Sequence, residues 1–106
     1  MIARIWHGYT TAENAQAYEN LLKEEIFEGI ANKKMRGYKG IRLLKRKLKD
    51  EFEYITIMWF DKIEDVKQLM GEDYETAYVL PAAQKLLKRY DAKSAHYDLL
   101  YELKYE

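Results

Sequence analysis

Met1-Ile-Ala-Arg-Ile-Trp-His-Gly8 opens the chain, and Ser94-Ala-His-Tyr-Asp-Leu-Leu-Tyr101 lies near its other end. Both stretches are rich in β-branched and aromatic residues and read as strands. Between them the apolar period runs helix, strand, strand, helix, so the 106 residues spell one β-α-β-β-α-β unit. That order predicts an α+β domain of ferredoxin-like topology, a four-stranded antiparallel sheet with helices on one face. The other sheet face then needs cover, and a second copy of the chain is the simplest source.

Working outward, the first strand covers residues 2–9. Thr10, with Glu13 three residues on, forms a capping box for a helix. Ala15, Tyr18, Leu21, Leu22, Ile26, Gly29 and Ile30 make that helix's apolar stripe. Gly37 and Gly40 bracket the turn into a second strand, about Ile41 to Leu48, and Asp50-Glu51 marks a hairpin turn. The third strand, Phe52 to Phe60, is apolar on both faces at its C-terminal end, as a central strand covered on both sides would be. Asp61 and Glu64 form a second capping box, for a helix through Ile63, Val66, Leu69 and Met70 with Gly71 as its stop. Residues 72–90 read as a helical region divided by the only proline, Pro81, with Ala82 to Tyr90 as the firmer piece. A fourth strand follows from Ser94 to about Glu102. No repeat or flexible linker interrupts the chain, so residues 1–106 form a single domain.

Composition narrows the function classes. Hydrophobic content of 48% with ten tyrosines argues against disorder, and the absence of cysteine excludes thiol catalysis, thiolate metal sites and a disulfide scaffold. No apolar run approaches the roughly 20 residues of a membrane span, and the N-terminus lacks a signal-peptide pattern, so a cytoplasmic location away from membranes is expected. The formal net charge is zero, yet half of the eighteen cations fall in residues 33–49, after a helix that carries five glutamates and one lysine. The basic run reads as an edge strand guarded against sheet-to-sheet pairing. The alternative, a phosphate-binding surface, lacks the basic-Gly-aromatic pattern that RNA-binding domains of this topology carry on the third strand, so no nucleic acid partner is expected. Phosphate loops, nucleophile elbows and H-E-x-x-H spacings are all missing, and neither metal nor cofactor is implied.

The opening strand, Trp59 at a strand end before a capped helix, Gly71-Glu-Asp-Tyr74, and His96-Tyr97 together resemble the antibiotic-biosynthesis-monooxygenase-like proteins of the dimeric α+β barrel superfamily. The resemblance spans nearly the whole chain. It implies a homodimer whose helix-free sheet faces meet as a barrel, with a ligand pocket in each subunit between sheet and helices. It also implies cofactor-free oxygenation of an aromatic or apolar small molecule, or, in other relatives, haem degradation. The haem-degrading relatives use an asparagine on the first strand, a tryptophan ending the third, and a histidine on the helical region after it. Trp59 matches the tryptophan, but His7 stands in the asparagine's place and no histidine occurs between Gly8 and Ala95, which argues against haem degradation. A non-catalytic binding or interaction domain on the same scaffold is the alternative function.

The candidate site follows from these readings. His7 and Trp59 are the catalytic candidates, and Tyr74, Tyr78 and His96 the candidate ligand-binding residues. His7, late in the first strand, and His96, early in the fourth, could approach as a paired base. The favoured reading is two unrelated histidines, each satisfied at a sheet end. The pocket hypothesis further expects Ala3, Ile5 and His7 to face the helices beside Ile55, Ile57 and Trp59. Arg4, Trp6, Tyr54, Thr56 and Met58 would then meet the partner subunit.

Overall fold

The first strand, β1 (Ile2–Thr10), lies at the centre of the sheet and pairs along its whole length with β3 (Phe52–Phe60), from Ile2↔Phe60 to Thr10↔Phe52. On its other side it pairs with β4 (Arg89–Tyr90) and β5 (Ala95–Asp98), and β2 (Tyr38–Lys47) forms the opposite edge beyond β3. All pairings are antiparallel. The computed structural model describes residues 1–105. Across one sheet face lie α1 (Ala12–Leu21), a π-helical turn (Leu22–Ile26), α2 (Phe27–Asn32), α3 (Ile63–Met70) and α4 (Pro81–Leu86). The α+β, ferredoxin-like reading of the sequence therefore stands.

Local chemistry moves several boundaries. Thr10 ends β1 with its hydroxyl on the Leu86 carbonyl, and Thr11 is the cap of α1, its Oγ1 accepting from Asn14 N. Asp65 replaces Glu64 at the start of α3, accepting from Lys62 N at 3.3 Å, while the Asp61 amide donates to Gly37 O. Residues 72–80 form no helix, because the chain there bonds to a later segment instead: Ala77 N donates to Ala92 O, and Ser94 N to Glu75 O. The same bonds pull residues 92–94 off β1. The fourth strand expected from Ser94 to about Glu102 is the shorter β5, Ala95–Asp98, and β4 at Arg89–Tyr90 is an additional strand in a stretch expected to be helical, so the sheet has five strands. Pro81 opens α4, which ends at Leu86 rather than Tyr90, because Lys88 N turns to Tyr9 O. The loop into β2 passes close under α3: a Cβ on Gly37, whose φ is 80°, would meet Asp65 Oδ2 at 2.0 Å.

The two sheet faces are the reverse of the pocket hypothesis. Trp6, Gly8 and Thr10 of β1 and Tyr54, Met58 and Phe60 of β3 lie beneath the helices. Ala3, Ile5, His7, Ile55, Ile57 and Trp59 occupy the helix-free face, as their cross-strand pairing requires. The even-numbered set carries the larger rings, which fill the space between helix and sheet. Tyr18 meets Tyr54 edge-on at 5.1 Å, with Leu22, Ala83 and Leu87 packed around them. A second cluster, Met58, Phe60 and Val66, holds α3 to the sheet.

A polar tie joins the first helix to the β2 edge. Glu19 accepts from the Tyr54 hydroxyl at 2.5 Å and pairs with Lys45 Nζ at 2.6 Å, so the acidic helix neutralises part of the basic strand. These bonds, Lys45's first and then Tyr54's, hold the Glu19 carboxyl below its ordinary 4.5. On acidification the unfolded chain therefore takes up this proton before the folded one. The stabilisation is complete above about pH 4.5 and is lost as pH falls through the lower folded-state value. Chemical denaturation of Glu19→Gln should show a loss of up to about 1 kcal/mol at pH 7, discounted for the solvent reaching Lys45, and a difference that shrinks toward zero in acid. A pH-independent difference would mean the carboxylate charge is not what binds helix to strand.

Candidate functional site

A cavity of about 600 Å3 lies between the sheet and the helices. Its floor is the helix-side face of the sheet, with Arg4 and Trp6 from β1, Thr56 and Met58 from β3, and Ile41 from β2. Its roof comes from the π-helical turn and α2, which contribute Leu22, Ile26 and Ile30, with Leu69 and Met70 of α3 to one side. A π turn admits one extra residue into the helix and rotates the side chains after it, and such turns recur at functional sites. The volume falls in the range of small-molecule pockets, and the wall is mostly apolar.

Polar groups are few: Arg4 and Ser94 are the buried ones, Thr56 comes from β3, and Glu25 and Lys33 are exposed on the helical side. Arg4 is 5% exposed, in a strand whose neighbours are Ala3 and Ile5. Its Nη1 donates to the Tyr74 carbonyl and meets His96 Nε2 at 2.9 Å. Burial pushes the Arg4 guanidinium below its ordinary value. His96 is lowered too, first by its own desolvation and then by the Arg4 charge, with Glu75 acting in the opposite sense. A neutral His96 that accepts at Nε2 fits both shifts. Ser94, also 5% exposed, lines the cavity on the same face of the chain as His96.

The candidate residues read from the sequence are not gathered in one place. Tyr78 lines the cavity at its mouth, 76% exposed. Tyr74 and His96 stand just outside the cavity lining, their rings edge-on at 5.2 Å, and both contact Arg4 on its wall. His96 also borders a separate cleft of about 440 Å3 that is open and shared with Asp61, Glu64 and Asp98. His7 is on the opposite face, its Nδ1 2.8 Å from Asp91 Oδ2, and Asp91's carbonyl in turn accepts from Trp6 Nε1. His7 and His96 are thus apart, paired across β1 with different residues, as the reading of two separately satisfied histidines expects. Trp59 is half-buried on the helix-free face opposite Ala3 and does not line the cavity.

Arg4 and Trp6 are the site residues that the sequence reading assigned to the other face. The signal for Arg4 was present: a single cation at the centre of an apolar strand, where an edge or surface role is excluded by position.

No protein-family model matches the chain, and no curated protein matches it. Solved structures do. One is a crystal structure from Bacillus cereus of a protein provisionally described as an antibiotic biosynthesis monooxygenase. It is 13% identical, with a TM-score of 0.69 over 98% of this chain and 97% of that one. Another is the haem degrader MhuD from Mycobacterium tuberculosis, determined with two haems bound in its active site. It is 15% identical, with a TM-score of 0.60 over 98% of this chain and all of that one. At these identities the matches establish the fold, over the full length of the chain.

No imidazole is among the residues lining the cavity, so haem iron would find no histidine ligand there. Titration with haemin is expected to give no tight one-to-one Soret shift and no reductant-dependent bleaching. Should either response appear, replacing His7 and His96 in turn tests whether a histidine is the axial ligand.

Proposed function

We infer that the cavity binds an aromatic or otherwise apolar small molecule and that the chain is a small, cofactor-independent monooxygenase-type enzyme acting on it. The observation that carries this reading is the mostly apolar cavity beneath the helices, with a few polar groups, Arg4 and Ser94 buried among them, on its wall. The name of the Bacillus cereus neighbour supports the reaction class. In such a reaction a substrate methylene activated by adjoining rings loses a proton, and the carbanion passes electrons to dioxygen. One oxygen atom becomes the product carbonyl and the other leaves as water, the substrate supplying every electron. Among the described residues the only carboxylate on the cavity wall is Glu25, exposed on the π-helical turn, and it would accept the proton.

A second reading, a binding domain without catalysis, is favoured by one observation. Both imidazoles are already engaged, His7 with Asp91 on the far face and His96 with Arg4. Oxygen uptake with anthrone as probe separates the two readings. Catalysis predicts one dioxygen consumed per ketone formed and loss of most of the rate in Glu25→Gln. Saturable binding with no uptake above the uncatalysed rate would establish the binding domain. In either case Gly29→Phe should weaken anthrone binding at least fivefold: Gly29 lines the cavity, and a Cβ there meets nothing within 4 Å, so the added ring can enter the opening.

The helix-free face supports a further proposal, that the chain is a homodimer joined through it. Ile5, Ile55, Ile57 and Trp59 share that face with Leu44, 48% exposed, and Tyr97, 56% exposed. An apolar surface of this extent is seldom left to water. Tyr101 and Leu103, beyond β5, add exposed apolar area. An isologous contact should bury at least about 1,200 Å2 in total. Light scattering at micromolar concentration should report twice the 12.7 kDa chain mass, and the mass of one chain would refute the dimer.

A further inference from the structure

We propose that the natural occupant of the cavity carries a carboxylate, and that Arg4 is the residue that receives it. The proposal rests on the cavity being a ligand site, and it names the chemical class of the ligand.

Lys45, Arg46, Lys39, Lys88 and Arg89 each have a carboxylate within ion-pair distance, although all are well exposed and water alone would serve them. Arg4 is the reverse case. It is almost entirely removed from solvent, yet among the described residues no carboxylate lies within 4.0 Å of it. A buried charge is costly unless it is paired, and a carbonyl and a neutral imidazole supply dipoles rather than a counter-charge. Glu25 shares the cavity wall but is exposed on the helical side and makes no ion pair with Arg4.

The guanidinium also has donors to spare. It carries five N–H groups in a planar fork, and among the described residues its hydrogen bonds use Nη1 alone. No sealed side-chain nitrogen or oxygen lacks a partner, so the donors not used on Tyr74 and His96 remain open to the cavity that Arg4 lines. A planar fork on the wall of a cavity fits a carboxylate in bidentate fashion. Lys33, the other cation on the wall, is exposed at the end of α2, so Arg4 is the one buried cation there, and it suits one negative charge better than a phosphate ester's two. Beyond this polar corner, Trp6, Ile26, Met58 and Met70 ask for an apolar body. The ligand class is an amphipathic aromatic or aliphatic acid.

The experiment compares 1-naphthylacetate with its neutral isostere, 1-naphthylacetamide, by calorimetric titration of the full chain. One charge-assisted pair in a water-poor site is expected to give the acid at least a tenfold lower Kd. Arg4→Met, of similar length and without charge, should bring the two Kd values to within about twofold of each other. If that variant does not fold, the wild type still decides, since the Arg4 Nε–H resonance should move on adding the acid and stay in place on adding the amide. Equal affinity for acid and amide, or a preference that survives Arg4→Met, overturns the carboxylate proposal and leaves the cavity as a ligand site. Tighter binding of 1-naphthyl phosphate than of the acid overturns the assignment to carboxylates. If none of the three binds, both the proposal and the cavity reading fall.

Discussion

The pairing of β1 with β3 is the constraint on which the rest of the molecule depends. Nine consecutive partners, from Ile2↔Phe60 to Thr10↔Phe52, make β1 the central strand and decide which side chains face the helices. Because strand side chains alternate, one register places Arg4, Trp6, Tyr54 and Met58 together under the helices and places His7 and Trp59 together on the other side. The floor of the cavity and the apolar surface offered to a partner are therefore two results of one hydrogen-bond ladder. Moving one by a residue would move the other.

The roof is held by different means. Tyr18 and Leu22 pack on Tyr54 near one end of the first helix, and Glu19 ties the same helix to Lys45 on the edge strand. Toward its other end, no residue of α2 is buried. The π-helical turn between these regions marks where the helix changes from packing against the sheet to spanning an open space. Tight packing on one side and loose packing on the other is what a ligand site needs, because the anchored side preserves the fold while the lighter side admits a guest. Gly29, exposed and without close neighbours, belongs to the light side.

Arg4 gives the cavity its chemical character. An apolar residue at the centre of β1 would have sealed the sheet at lower cost, since burying an unpaired cation opposes folding. Local rules of this kind are most often broken at functional sites, where a ligand supplies what the free protein lacks. The full-length match to two solved structures whose described activities differ, an antibiotic biosynthesis monooxygenase and a haem degrader, shows one scaffold associated with different chemistry. The distinguishing information then lies in the few polar side chains of the cavity.

The order of elements, the edge position of the basic second strand and the opening of the last helix at Pro81 were all legible in the sequence. They depend on periodicity, capping residues and the backbone limits of proline, which act over a few neighbouring positions. The face assignment was not legible. Residues 2–9 and 52–60 carry apolar side chains on both faces, so alternation alone could not say which set lies beneath the helices. Only packing in three dimensions decided it, through the rings of Trp6, Tyr54 and Phe60 filling the space under the helices. The short strand β4 escaped for a similar reason: Lys88 N and Asp91 N donate to the Tyr9 and His7 carbonyls of β1, partners far away in the chain. Local chemistry determined which segments form; long-range packing determined which way they face, and with that which residues make the site.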